Sequence, residues 1–100
     1  MQIKKGVRVN GMKPEILLAI MVADKLWSDN GQSLVITSIT DGTHSAKSRH
    51  YIGLAVDFRT RYFDESTKKA VFDELKADLG SEYVVVWHST HIHVQFNGSN

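Results

Sequence analysis

Two stretches of the chain repeat apolar residues at intervals of three and four positions, which is the spacing of a helix with one buried face. The first follows Pro14 and ends near Asn30-Gly31, and the second covers residues 66–79 and ends before Gly80. Proline fits the first turn of a helix and glycine fits the position after its last turn, so both stretches are predicted to be helices. The residues predicted to face inward are Ile16, Leu17, Ile20, Met21, Leu26 and Trp27 in the first helix and Val71, Phe72, Leu75 and Leu79 in the second.

Four shorter stretches are rich in β-branched and aromatic residues and are bounded by polar ones, as strands are. They cover residues 33–39, 54–58, 83–87 and 91–96, and the last two are predicted to form a hairpin that turns at residues 88–90. Helices and strands then follow one another in the order α-β-β-α-β-β. This order predicts one small α+β domain over residues 1–100, with a largely antiparallel central sheet and two main helices packed against it.

The composition is that of a globular domain and argues against several classes of function. The 100 residues are 42% hydrophobic and 23% charged, and their formal net charge of +1 does not favour nucleic-acid binding. Without cysteine, the chain has no thiolate ligand or nucleophile. The longest apolar run, residues 16–23, is too short to cross a bilayer, and the first residues lack an apolar signal segment. We expect a monomer that is made in the cytoplasm and does not insert into membranes.

Three of the five histidines fall within residues 88–93. His91 and His93 are two positions apart in a predicted strand, so both imidazoles should point to one face of the sheet and Ile92 to the other. An isolated pair of this kind is more often exposed on an edge strand than bound to a metal ion.

A second stretch places His50 seven residues before Asp57, with Gly53 between them so that the chain can bend into the strand. Taken alone, Asp57 is equally well explained as a strand-end carboxylate paired with Arg59 or Arg61. Two ligands from this stretch and one histidine from residues 91–94 would instead form a site of two imidazoles and one carboxylate. This donor set is typical of catalytic zinc.

The two stretches also carry a resemblance to a known family. Residues 48–57, SRHYIGLAVD, resemble the SxHxxGxAxD signature of the D-alanyl-D-alanine metallopeptidases, a group that includes lysostaphin-type enzymes and the hedgehog signalling domain. His91-Ile92-His93 resembles the HxH motif of the same group, and His88 extends it to the spacing HxxHxH found in some of its murein peptidases. The resemblance covers about residues 6–97 and is closest to the compact versions encoded by bacteriophages.

The resemblance implies a role for each matching residue. Zinc would be held on the sheet by His50, Asp57 and His93, with one ion per chain. His91 would face substrate or water rather than the metal, and His88 would be a further active-site histidine. Ser48 and His44, in the 40–50 loop, would lie near the metal, and Ser48 would form a hydrogen bond to one of its ligands. The ordinary alternatives are that Ser48 bonds to its own backbone and that His44 is a solvated loop histidine.

One position departs from the family pattern. Many relatives carry Asp or Glu three residues before the last histidine ligand, where the carboxylate is taken as the general base, and here that position is Thr90. A threonine hydroxyl cannot accept a proton near neutral pH. His88 and His91 are the titratable groups left to do so.

Nearby residues are predicted to be structural. Trp27 should lie in the core, and for Trp87 the core is favoured over the wall of a substrate cleft. The basic residues are expected to be solvated, with the alternative that they border the cleft and attract an anionic stem peptide. They are Lys4, Lys5 and Arg8 of the N-terminal arm, with Lys47, Arg49, Arg59 and Arg61.

The resemblance thus predicts a zinc-dependent peptidase that cleaves peptide bonds of cell-wall peptidoglycan, as an endopeptidase or a carboxypeptidase. A phage endolysin is the favoured form, reaching the wall through a holin and acting without a separate wall-binding domain. Two alternatives stay open at this point: a zinc-stabilised binding module that has lost catalysis, as the hedgehog domain shows this fold can become, and a virion-associated wall hydrolase.

Overall fold

A computed structural model of the chain describes residues 1–39 and 54–97. Both predicted helices and all four predicted strands are present, together with one short strand that was not predicted. The elements are β1 (Gln2–Ile3), α1 (Pro14–Asp29), β2 (Val35–Ser38), β3 (Ala55–Arg59), α2 (Glu65–Leu79), β4 (Tyr83–Trp87) and β5 (His91–Phe96). The predicted hairpin between β4 and β5 is confirmed, and its turn is residues 88–90.

The strands form one sheet in the order β1-β2-β3-β5-β4. β1 runs parallel to β2, and the other neighbours are antiparallel. The structure therefore confirms an α+β fold with a largely antiparallel sheet and two helices. A consequence for function is that β3 and β5 are neighbours, although the α2 helix and β4 separate them along the chain.

The hydrophobic core lies between the helices and one face of this sheet. Alternate residues of β3 and β5 face the helices, and Phe58, Ile92 and Val94 are fully buried there. Helix α1 packs on β3 and β5, while α2 packs on β4 and on α1. Trp27 is fully buried, as predicted; its ring packs edge-on against Phe58 at 5.6 Å, and its Nε1–H donates to the Arg59 carbonyl at 3.0 Å.

The buried face of α1 differs from the predicted one. Leu17 and Met21 are 49% and 63% exposed, whereas Ala19 and Ala23 are fully buried. The two alanines lie on the stripe that continues Ile16, and their small side chains let the helix backbone lie close to the sheet. The predicted inward face of α2 is confirmed, since Val71 and Leu75 are buried and Phe72 and Leu79 pack, partly buried, against the core.

Helix α1 begins at Pro14, as predicted, and α2 begins at Glu65, one residue before its predicted start. Pro14 occupies the first turn of α1. Asp64 caps α2, since its carboxylate accepts a hydrogen bond from the Thr67 backbone N–H at 2.7 Å. Among the described residues, no helix is long and apolar enough to cross a membrane.

Candidate metal and catalytic site

The face of the sheet that the helices leave uncovered carries the candidate chemistry. Because Val56 and Phe58 of β3 face the core, Asp57 points the other way, and the same alternation in β5 turns His91 and His93 outward. Asp57 lies directly opposite His93 in the antiparallel register. The prediction that the two histidines share one face, with Ile92 in the core, is confirmed.

Asp57 and His93 are in direct contact. Asp57 Oδ1 lies 2.8 Å from His93 Nδ1, and the Gln95 side-chain oxygen lies 3.0 Å from His93 Nε2. Both ring nitrogens therefore face acceptor oxygens, an arrangement that suits the protonated imidazole. Burial alone would lower the pKa of His93, but the hydrogen bonds to Asp57 and Gln95 outweigh it and the pKa is raised above 6.5.

His91 has a different environment on the same face. Its Nε2 lies 3.8 Å from Asp57 Oδ2, too far for a hydrogen bond, and its Nδ1 lies 3.2 Å from the Thr90 hydroxyl. Burial lowers the pKa of His91 below 6.5; Asp57 opposes this shift, and the positive charges of His88, His93 and Lys68 add to it. The lowered pKa favours the neutral form of the His91 ring, which is the form that can accept a proton.

His88 completes the cluster from the turn that follows β4. Its ring stacks on that of His91 with centroids 4.5 Å apart and planes 19° apart, and meets the His93 ring edge-on at 6.3 Å. Its backbone N–H donates to the His91 carbonyl at 3.0 Å. The HxxHxH spacing thus gathers three imidazoles beside Asp57, because the hairpin folds His88 back over the first residue of β5.

A small cleft of about 330 Å³ opens beside Asp57 and His91. Three basic side chains line it, all of them among those considered from the sequence: Arg59, Arg61 and, from the N-terminal arm, Lys4. Both arginines border this cleft, and Arg61 is at the same time exposed to solvent, as the favoured prediction had it. A cleft with this charge favours anionic ligands.

Trp87 does not lie in the core, so the favoured prediction for it is wrong. Its side chain is 39% exposed and lines a groove of about 640 Å³ with Phe72, whose ring it meets edge-on at 5.4 Å. The reason is its place at the end of the outermost strand, where α2 covers only one side of the ring. Its ring lies on the side of the sheet that faces α2, between Phe72 and Lys68.

Lys68 is a residue near the site that the sequence reasoning missed. It is only 6% exposed, and its ammonium donates to the backbone carbonyl of His88. The sequence could have indicated that Lys68 is buried, because it lies three residues before Val71 and seven before Leu75, on the face of α2 that points inward. A lysine on that face must either reach solvent or find buried acceptors.

The structure bears on only part of the predicted ligand set. His44, Ser48 and His50, with Lys47 and Arg49, lie outside the described residues. Within the described ranges, no three His, Asp or Glu side chains are arranged to hold a metal ion.

Asp57 and His93 fit two positions of the predicted zinc site. Their contacting oxygen and nitrogen are 2.8 Å apart. Two donors on one tetrahedral zinc ion, each bonded at about 2.0 Å, would be separated by roughly 3.3 Å. A small side-chain adjustment therefore allows both atoms to bind one ion.

Comparison of the chain with protein-family models gives no match, and comparison with curated proteins gives none either.

Proposed function

We propose that this protein is a zinc-dependent peptidase that hydrolyses peptide bonds of bacterial cell-wall peptidoglycan. The observation that supports the proposal best is the contact between Asp57 and His93 on neighbouring strands, with His91 and His88 beside it. The sequence resemblance requires this arrangement of the AxD and HxxHxH motifs, which are distant in the chain and adjacent in the sheet.

In this proposal Asp57 and His93 hold the metal together with His50. A bound zinc ion supplies a Lewis acid that polarises the scissile carbonyl and acidifies water. The contribution of Asp57 is twofold, since its second oxygen also lies 3.8 Å from His91 and stabilises a positive charge on that ring when it takes up a proton.

His91 is the residue that we assign to proton transfer. Its lowered pKa favours the neutral form, which can accept a proton, and the same group can then protonate the leaving amine. Thr90 cannot act as the base, but its hydroxyl contacts Nδ1 at 3.2 Å and so holds the ring in one orientation. His88 stacks on the ring and restricts it further.

The cleft beside this cluster suits part of a stem peptide. Arg59, Arg61 and Lys4 line it, and stem peptides of peptidoglycan carry free carboxylates that such side chains attract. We propose a phage endolysin acting as a monomer on the wall after release through a holin, with either endopeptidase or carboxypeptidase action.

Thr90 is the observation that favours a second candidate function, which is binding without catalysis. Because a hydroxyl stands where many relatives have a carboxylate, the protein could be a zinc-stabilised binding module of the same fold that does not catalyse hydrolysis. A virion component with local wall-degrading activity is a variant of the enzymatic proposal, and it is tested by looking for the chain in purified particles.

Purified sacculi separate the enzyme from the binding module. Zinc-loaded protein should release fragments whose masses identify the bond that is cut, while His91→Ala, loaded to the same zinc content, should release far fewer. If the wild-type protein holds one zinc ion per chain and releases nothing from several types of peptidoglycan, the peptidase proposal is wrong and the binding module takes its place.

A further inference from the structure

The amine of Lys68 is buried without a carboxylate partner among the described residues. Lys68 is 6% exposed, whereas the neighbouring Lys69 has a side chain that is 71% exposed and pairs with Asp73 at 2.9 Å. Burial lowers the pKa of Lys68, and the charge of Glu65 only partly offsets this. A buried ammonium costs free energy that an apolar side chain of similar length, such as methionine, would avoid. The contacts of the amine must therefore account for its presence.

Those contacts all go to three consecutive residues. The ammonium donates to the backbone carbonyl of His88, lies 3.5 Å from that of Ser89, and stands 4.1 Å from the centre of the Trp87 ring. One positive charge on α2 thus binds the last residue of β4 and the first two residues of the turn. Carbonyl oxygens and an aromatic face are the groups that a lysine ammonium attracts in the absence of an anion.

The turn at residues 88–90, which Lys68 contacts, has few other stabilising contacts among the described residues. Residues 88–90 are all exposed, so side-chain packing does little to order them. Within the described chain, backbone hydrogen bonds tie the turn to itself through His88 N–H and the His91 carbonyl (3.0 Å), and to Thr60, whose N–H donates to the Thr90 carbonyl (3.1 Å). Lys68 adds the tie to α2, at the residue whose ring stacks on His91.

We propose that Lys68 is a positioning residue of the site: by holding the carbonyls of His88 and Ser89 it keeps the His88 ring stacked on His91. Asp57 and His93 lie within β3 and β5 and do not depend on this tie. Loss of the amine should therefore disturb the pair of rings and leave the two proposed ligands in place. The effect on catalysis rests on the proposed function, whereas the effect on the geometry does not.

The test compares Lys68→Met with Lys69→Met, a change of the same chemistry at the next, exposed position. In Lys68→Met we expect the nuclear Overhauser contacts between the His88 and His91 rings to disappear while zinc content stays at the wild-type level. On a soluble peptidoglycan fragment, kcat should fall roughly 10- to 100-fold, the size expected from small misplacements of reacting groups, with KM changed less than about twofold. Lys69→Met should match wild type in every measurement, and Lys68→Arg, which keeps donors, should recover part of kcat.

Two results would overturn the inference. One is a Lys68→Met protein that melts at a lower temperature but keeps the ring contacts and kcat, since Lys68 would then serve stability alone. The other is an equal loss in Lys69→Met. If Lys68→Met is unfolded, Lys68→Leu, which also lacks a donor, replaces it with the same expectations. If wild type proves inactive, the proposed function fails, and the ring contacts alone decide whether Lys68 positions the turn.

Discussion

Asp57 lies between two imidazoles whose pKa values are shifted in opposite directions. His93 is bonded at both nitrogens, and these bonds outweigh the effect of its burial and raise its pKa; His91 lacks such bonds to an anion, and burial lowers its pKa. Environments that separate the pKa values of neighbouring groups also separate their roles. The ligand role of His93 is the one that the sequence resemblance implies, and zinc binding would displace a proton from its ring. The lowered pKa of His91 favours its neutral form and is why we assign proton transfer to it.

Removal of either imidazole that is not a proposed ligand, His88 or His91, should affect turnover without affecting zinc. We expect His91→Ala to lower turnover on peptidoglycan by about 10²–10⁴-fold, the usual contribution of a general acid–base group. His88→Ala should have a smaller effect, because His88 acts through His91. Zinc analysis of each variant supplies the control, and wild-type turnover in both variants would rule out a catalytic role for the pair.

Thr90→Asp tests how the missing carboxylate is replaced. A carboxylate at this position would lie beside His91 Nδ1, which the threonine hydroxyl now contacts at 3.2 Å, and would raise the pKa of His91. We therefore expect the acidic limb of the pH–rate profile to move to higher pH and turnover at pH 7 to stay level or fall. Thr90→Asn, equal in size but uncharged, should leave the limb in place. Higher turnover with an unmoved limb would show instead a weakened enzyme whose base had been lost.

At the scale of elements, α2 connects the stability of the fold with the site. It begins at Asp64, whose carboxylate accepts hydrogen bonds from the Thr67 backbone at 2.7 Å and the Ser66 hydroxyl at 3.1 Å. One turn further on, Lys68 reaches the turn that carries His88. Fraying of the first turn of α2 would therefore weaken the contact between Lys68 and the turn that carries His88.

The cap gives α2 a defined pH dependence. Hydrogen bonds from Thr67 and Ser66 lower the pKa of Asp64 below its ordinary value of 3.8. A carboxyl group with a depressed pKa in the folded state stabilises the protein above pH 3.8 and loses this contribution as the pH falls through the folded-state pKa. Asp64→Ala should thus melt below wild type at pH 7, with a difference that shrinks below pH 3.8.

Asp73→Ala, an exposed change on the same helix, should alter the melting temperature little at either pH. A difference between Asp64→Ala and wild type that stays constant from neutral to acid pH would show that the cap is not the cause.

The elements also show what the sequence could and could not predict. Helix α1 was placed correctly, but its inward face was not: residues 16–23 are all apolar, so Leu17 and Met21 looked as suitable for burial as Ala19 and Ala23. Strand β1 has only two residues, too few to show any period. The hairpin and the facing of His91 and His93 could be predicted, because strand alternation allows few arrangements.

At the scale of the whole molecule, the two faces of one sheet have different roles, one in the hydrophobic core and one in the candidate site. The helix-covered face holds the core, and the other face holds Asp57, His91 and His93. Asp57 and His93 are 36 residues apart in the chain, and only the adjacency of β3 and β5 brings them within 2.8 Å. Their pairing was implied by resemblance, whereas the role of Lys68 depends on contacts between α2 and the turn, which no local pattern encodes. The third proposed ligand, His50, lies outside the described residues and stays a prediction.

Calorimetric titration of metal-free protein with zinc tests the central claim most directly. We predict one zinc ion per wild-type chain and binding weakened by more than about 100-fold in His50→Ala, Asp57→Ala and His93→Ala, since each removes a ligand. His91→Ala, two residues from the proposed ligand, should bind zinc as wild type does. Absence of zinc binding by wild type, or full binding by Asp57→Ala and His93→Ala, would contradict the account.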